Sequence, residues 1–501
     1  MPCRKAFLTI LILYVLATPG LSALAETYSV NDRPLNLVGY LTQGSAFSLS
    51  NGKYYDTEAG WQSAITTLLI EGDYRFTDNL KVYGAGMFLV DWIYDAKSDA
   101  GSWNDKLFSR SRSELYMDDR YWQMLKEAHV TWTPGNFLFR LGKQIVSWGE
   151  TDGFRLMDQI NPLDQRRGFA DVEFESTIIP IWLIRTEYHT DVPWNWLTDL
   201  RFEAVLNPNA DFIPNQPIKL GNDQGGIWAP NILVPLGPDT RAYLGSPDLD
   251  LRKPSAWSPD GMELGLRIRG TIQDSIITLN YFKGIDNDYV ATSLPIQPRT
   301  DVAPDGRLVI HPAMKGYYPD LQFAGITFSR DLQSVQSSFL GGVAPVVRME
   351  GFYAFDSTFA NDINALEKHN ELRWSLGLDW KVKISWLNPR AFVAISPQFY
   401  HRKIIDYPSD HELTGLDADN YMTTLMVKTS YLNGKLTPSI FWMRDVTTQS
   451  DMYRYQIDYQ YTNNWIFKIG ALVLDGNIEG KGFQVFEHKD QVYFSVSYRW
   501  G

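Results

Sequence analysis

Apolar and polar residues alternate along much of this chain. Met262, Leu264, Leu266 and Ile268 are interleaved with Glu263, Gly265, Arg267 and Arg269. Leu372, Trp374, Leu376, Leu378, Trp380 and Val382 are interleaved with Glu371, Arg373, Ser375, Gly377, Asp379 and Lys381, and Tyr453, Tyr455, Ile457, Tyr459 and Tyr461 with Arg454, Gln456, Asp458 and Gln460. A period of two predicts strands with one apolar face. In a soluble sandwich that face meets a second sheet. In a membrane barrel it meets lipid, and the polar face lines a hydrated lumen.

Link lengths separate the two readings. Tight links fall at 77–79, 133–136, 273–274, 387–389, 432–434 and 462–464. Between them lie longer, polar, Pro/Gly-rich links at about 95–120, 149–178, 207–260, 285–319, 357–369, 403–419 and 476–488. Short turns at one end and long loops at the other are the arrangement of outer-membrane barrels. The links at about 190–198 and 330–343 are longer than this scheme prefers, and that at 447–451 shorter. The count predicts one all-β domain, an antiparallel transmembrane barrel of about eighteen strands, with both ends on the short-turn side. Its last strand, Val492 to Trp500, ends in aromatics as bacterial barrels do, with Gly501 added behind. Trp61, Trp92, Tyr94, Trp442, Tyr461 and Trp465 fall near strand ends, where aromatic girdles are expected.

Composition agrees with this. Arg4 and Lys5, the apolar run Phe7–Leu16 and Ala23-Leu24-Ala25 predict a signal peptide over residues 1–25, leaving a barrel domain over 26–501. The single cysteine, Cys3, would leave with it, which excludes disulfide and thiolate-metal chemistry in the mature chain. Removing Arg4 and Lys5 from 46 basic residues leaves 44 against 58 acidic ones, a balance of −14 that argues against nucleic acid. An aromatic share of 14% at a mean hydropathy of −0.24 suits a barrel without transmembrane helices.

One stretch breaks the alternation. In Phe139–Arg167, the residues Arg140, Gly142, Gln144, Val146, Trp148 and Glu150 share one predicted strand face, with Phe139, Leu141, Lys143 and Ile145 on the other. After Trp148-Gly149-Glu150 the spacing of Leu156, Met157, Ile160 and Leu163 predicts a short helical turn closed by Asn161-Pro162. Charges of both signs crowd this excursion. An ordinary solvated loop is one reading; the other is a loop folded inward, because Glu150 stays in phase with the lumen-facing Arg140 and Gln144. The candidate pore or constriction residues are therefore Arg140, Gln144, Trp148, Glu150, Arg155, Asp158, Asn161, Asp164, Arg166 and Arg167. The further lumen-phase charges Arg267, Arg269, Arg348, Glu350, Glu371, Arg373 and Arg454 would form an electrostatic lining.

The run LGKQIVSWGE and, after a variable step, FRLMDQINPLDQRR resemble the signature of the family known as domain of unknown function 1302, and distantly the alginate-export-type porins. The matching residues are Gly142, Gln144, Trp148, Gly149, Glu150, Arg155, Asp158, Asn161, Pro162, Asp164 and Arg166. Lys143 stands where arginine is more usual. The resemblance implies a signal-bearing outer-membrane barrel of comparable length and supplies no catalytic residues. It also implies a neighbourhood of lipid-carrier lipoproteins and proton-driven export pumps, which points to a hydrophobic or lipid-like solute.

Site chemistry has little support in the sequence. His129, His189, His311, His369, His401, His411 and His488 never pair at i,i+4, and no G-x-S-x-G occurs. Asp239, Asp248 and Asp250 could present oxygens to a divalent cation, although a solvated acidic loop is the stronger account of them. The expectation is an outer-membrane channel or transporter with no cofactor and no covalent chemistry. The alternatives are an outer-membrane lipid hydrolase and a structural or adhesin barrel. The expected partners are outer-membrane lipid and lipopolysaccharide, the barrel assembly machinery and a periplasmic lipid-carrier lipoprotein.

Overall fold

The alternating stretches become the strands of one antiparallel sheet that closes on itself. The computed structural model describes residues 27–500 apart from 52–58, 98–109, 119, 152–154, 170–173, 191–193, 195, 231, 239, 304 and 337–340. The expected signal peptide and Asp239 lie outside the described residues. In chain order the barrel strands are β1 (Arg33–Ser48), β2 (Gly60–Arg75), β3 (Leu80–Asp91), β4 (Leu125–Trp132), β5 (Phe137–Gln144), β6 (Ile181–His189), β7 (Leu197–Asn207), β8 (Glu263–Ile272) and β9 (Ser275–Ile285). They continue as β10 (Asp320–Asp331), β11 (Val346–Ala360), β12 (Leu366–Val382), β13 (Val393–Ile404), β14 (Asp419–Thr429), β15 (Leu436–Asp445), β16 (Ser450–Gln460), β17 (Trp465–Gly476) and β18 (Gln491–Trp500).

Each strand pairs with its predecessor, and β18 returns to β1 with Gly39 opposite Trp500 and Ser48 opposite Gln491. The barrel thus has eighteen strands. The segment Thr27–Val30 folds back on the start of β1. Closure matters because an open sheet edge in hydrocarbon would leave backbone N–H and C=O groups unpaired. At the short-turn end β8 and β9 are joined by Gln273 and Asp274, both at positive φ (46° and 66°), the two-residue geometry that matches strand twist.

The pleat follows the sequence pattern. On β8, Leu264, Leu266 and Ile268 are exposed outward, while Glu263 and Arg267 are buried on the inner side. Leu376 on β12 is 41% exposed and its neighbour Ser375 is fully buried. The two longer-than-preferred links fall where expected, between β6 and β7 and between β10 and β11. The predicted loop 357–369 is much shorter, because β11 and β12 run on to Ala360 and from Leu366 across a bulge between Ala354 and Ser357.

The long loops carry small sheets of their own. Leu233–Pro235, Arg241–Leu244, Arg299–Val302 and Leu308–His311 form one, and Asp248–Arg252, Val290–Ser293 and Ala313–Tyr317 another. There Asp248 pairs with Arg299 at 3.4 Å, a local ion pair that already occupies one of the candidate cation ligands. Loop side chains also fill the barrel at the long-loop end. Ile93, Tyr94, Leu115, Ile227, Trp228, Val485 and Phe486 pack on the wall residues Ala46, Ala64, Met443, Leu472 and Tyr493. Tyr94 therefore turns into this core rather than into a girdle. Trp92 is half-buried against it, with its indole N–H donating to Thr66. The charged lining expected of the lumen is thus interrupted by apolar packing.

Candidate functional site

Strand β5 ends earlier than the alternation predicts, at Gln144 rather than near Glu150. Gly142 prepares the exit. Its φ is +135°, and a Cβ there would stand 2.2 Å from the Ala128 carbonyl oxygen, so no other residue fits without moving β4. Lys143, expected on the lipid face, is fully buried and donates to the Leu125 carbonyl. Gln144 is also fully buried. Its amide donates to the Leu183 carbonyl at 3.2 Å and lies within 3.4 Å of the carbonyls of Arg140 and Gly142. These contacts satisfy backbone groups freed where the ladder stops.

Beyond Gln144 the chain forms a tied loop, with no helical turn over residues 155–168. Asn161 closes its base: its Oδ1 accepts from Val146 N at 2.8 Å, and its Nδ2 donates to the carbonyls of Gln144 (3.2 Å) and Ile179 (3.0 Å). Asp158 does the same one layer further in. Its carboxylate accepts from the backbone N–H groups of Trp148 and Gly149 and from the Ser147 hydroxyl. Arg155 donates to the Asn161 carbonyl at 3.0 Å and lies 4.0 Å from Asp158. Burial lowers its pKa, and Asp158 offsets part of that shift. Helical hydrogen bonding loses here because the backbone donors find side-chain acceptors instead.

The loop lies against inner-face residues of six successive strands, β6 to β11. Trp148 donates its indole N–H to Glu203 of β7 at 3.1 Å, and its ring fills the recess left by Gly265 of β8, where a Cβ would come within 2.7 Å. Met157 fills a second recess at Gly325 of β10. Arg267 donates to the Ser147 carbonyl. Val146, Leu156, Met157 and Ile160 join Leu183, Val205, Phe282, Phe323 and Phe352 in one buried cluster. The three phenylalanine rings stand in line, with centroids 5.5 and 4.4 Å apart. The farthest tie is polar: Glu350 of β11 accepts from the backbone N–H of Glu150, of Thr151 (2.8 Å) and of Met157 (3.0 Å). Arg348 donates to the Glu150 carbonyl and pairs with Asp379.

The second half of the loop forms a separate ionic knot. Arg166, fully buried, holds Asp164 through two hydrogen bonds of 2.9 and 2.8 Å and donates to the Glu114 carbonyl at 3.1 Å. Arg167 pairs with Asp118 at 3.3 Å, and Gln123 donates to Asp164 at 2.7 Å. Burial alone would raise the Asp164 carboxyl, but the hydrogen bonds and charge of Arg166, with Arg167 behind it, hold it well below the usual carboxylate range. Backbone bonds from Gln216 N to Leu163 O and from Gln165 N to Gln216 O tie the knot to the loop after β7.

Of the ten candidates, Trp148, Glu150, Arg155, Asp158 and Asn161 come together in the first cluster. Asp164, Arg166 and Arg167 come together in the second. Gln144 sits at the root of the loop, and Arg140 stands apart on the inner face of β5. Glu150 contributes its backbone; the carboxylate that anchors this stretch belongs to Glu350. Alternation placed Glu350 in the lumen, but nothing local marked it as the acceptor for a loop two hundred residues upstream. Lys489 gave less signal still: it is buried in the loop after β17 and donates to the carbonyls of Ile227 and Ala229.

A family model described as Protein of unknown function (DUF1302) matches residues 29–500. No curated protein matches the chain. Among solved structures, a BenF-like porin from Pseudomonas fluorescens Pf-5 is 9% identical, covering 94% of this chain and 100% of that one, with a TM-score of 0.49. OccAB1 of Acinetobacter baumannii is 10% identical over 96% of this chain and 99% of its own, with a TM-score of 0.46. OccD3 (OpdP) of Pseudomonas aeruginosa is 9% identical over 93% and 91%, with a TM-score of 0.43.

Proposed function

Since the chain belongs to the family described as Protein of unknown function (DUF1302) and its strands close into a barrel, we propose that it is an outer-membrane channel of a Gram-negative bacterium, passing a solute without covalent chemistry. In this reading the segment 145–168 folds into the lumen and narrows it. The observation that carries the proposal is the set of three backbone N–H groups from that segment bound by Glu350, six strands around the wall from β5. A surface loop has water for those donors and needs no acceptor inside the barrel.

A hydrophobic or lipid-like solute is favoured by the family resemblance; Phe282, Phe323 and Phe352 of the inner wall are already covered by Leu156, Met157 and Ile160. Ion-paired arginines elsewhere on the wall would make the rest of the passage polar. A periplasmic lipid-carrier lipoprotein acting with this channel would meet the short-turn end.

The test is conductance in planar bilayers. Wild-type protein is expected to conduct in small steps, and Glu350→Ala, which removes the segment's farthest tie to the wall, in larger ones. Absence of conductance in both proteins sinks the channel reading. Equal steps in both sink the constriction. Turnover of added phospholipid would instead favour the lipid-hydrolase alternative.

A further inference from the structure

A cavity of about 300 Å³ opens on the inner face of β3, β4 and β5, near the short-turn end. It is lined by Lys81, Tyr83, Glu127, His129, Thr131 and Arg140. Strand register sets these groups in two rows. Lys81, Thr131 and Arg140 stand side by side in one; Tyr83, His129 and Gly142 in the next. Gly142 carries no side chain into the second row, and a Cβ there would come within 2.9 Å of His129 Cβ. The niche stays open for that reason.

Most charges in and around the niche already have partners. Lys81 pairs with Asp73 at 3.0 Å, Glu71 accepts from the Tyr83 hydroxyl at 2.8 Å, and Glu127 accepts from Ile145 N. Several wall arginines elsewhere follow the same habit, although Arg267 and Arg454 bond a carbonyl and a tyrosine hydroxyl instead, with no carboxylate in ion-pair range among the described residues. Arg185 is paired with Glu187 and Glu203, Arg348 with Asp379, and Arg373 and Arg402 with Glu371. Arg140 differs from these paired ones. Among the described residues its side chain makes one hydrogen bond, from Nε to Thr131 Oγ1 at 3.0 Å, and no carboxylate lies within ion-pair distance. The Nε bond fixes the plane of the guanidinium while its two terminal nitrogens remain uncommitted beside the cavity.

The geometry points to a carboxylate-binding subsite in this niche, with Arg140 as the bidentate partner. A planar guanidinium fork matches two carboxylate oxygens, and its charge-assisted hydrogen bonds are the strong kind. About 300 Å³ is at the small end for ligand sites, which suits a small organic acid or the acid head of a longer molecule. Glu127, on the same wall, would oppose the incoming charge and keep binding weak enough for release. This inference rests on the channel reading and names the chemistry of the solute that reading leaves open.

The experiment is a calorimetric titration of the full chain in detergent with acetate, with acetamide as the uncharged control. Acetate is expected to bind and acetamide not. Arg140→Gln should weaken acetate by about tenfold or more, and Arg140→Lys, which keeps the charge but loses the fork, by less. Thr131→Val retains Arg140 and frees its Nε, and should weaken binding as well; Glu127→Gln should strengthen it. Unboiled gel migration checks that each variant remains a closed barrel. Equal acetate affinity in wild type and Arg140→Gln, or equal binding of acetamide, overturns the subsite. Because this binding is read without conductance, a protein that binds acetate yet conducts nothing would overturn the channel and leave the subsite standing.

Discussion

Two carboxylates decide how the segment after β5 is held. Asp164 is depressed by buried Arg166, so its contribution to stability is complete above the ordinary aspartate range and is lost only as pH falls through its lowered value, in strong acid. Arg166→Gln removes that protection. A fully buried pair broken on one side costs about 3–5 kcal/mol, less where water reaches it. We expect amide protection over residues 160–168 to fall in this variant at neutral pH and not to fall further in mild acid, because protonating the buried Asp164, without Arg166 beside it, relieves its charge. Unchanged protection at both pH values would mean that the knot does not hold the segment. Glu350 and Glu150 offer a second contrast. Glu150 serves through its backbone, so Glu150→Gln should leave conductance within experimental error of wild type, in contrast to Glu350→Ala.

Among the elements, β8 shows what the pleat controls. Ile268 points outward and Arg269 inward, one residue apart. Ile268→Arg places a cation in the lipid-facing belt and is expected to cost about 2–4 kcal/mol near the bilayer midplane, reducing the yield of inserted barrel. Arg269→Gln should insert normally and shift the reversal potential towards cations. Equal insertion of both, measured as the heat-modifiable fraction, would mean that the outward face of β8 does not meet lipid. The exit of β5 is a second element-scale feature. Its end is set by Gly142, Lys143 and Gln144 acting on neighbouring backbone, and the period-two pattern, which continues to Glu150, contains no sign of this.

The whole molecule depends on the seam between β1 and β18. At Gly39 a Cβ would come within 2.3 Å of the Leu69 carbonyl oxygen and 2.6 Å of the Trp500 ring. Gly39→Val is therefore expected to hinder closure: unboiled protein should migrate with the boiled form, and the chain should be depleted from the outer-membrane fraction. A variant that still shifts on heating would show that the seam tolerates the displacement. Wild-type protein should remain in that fraction after high-salt extraction. Its recovery as a soluble periplasmic protein would contradict the proposed location.

The strand number, the outward faces and the two unlike ends of the barrel were legible in the sequence, because they depend on local periodicity and link length. Alternation needs only neighbouring residues, and a barrel repeats it eighteen times. The candidate site was legible in composition but not in arrangement. Asp164, Arg166 and Arg167 form one knot, and Asp118, Glu114 and Gln123 complete it from the loop after β3. The spacing of Leu156, Met157 and Ile160 reads as helical, but it arises from a loop that packs on Phe282, Phe323 and Phe352. Glu350 binds the loop, Gly265 and Gly325 make room for Trp148 and Met157, and Arg140 is left without a carboxylate partner among the described residues. Each of these depends on which strands face one another across the closed wall. Sequence periodicity fixes the side on which a residue points, whereas only closure of the sheet determines what it meets there.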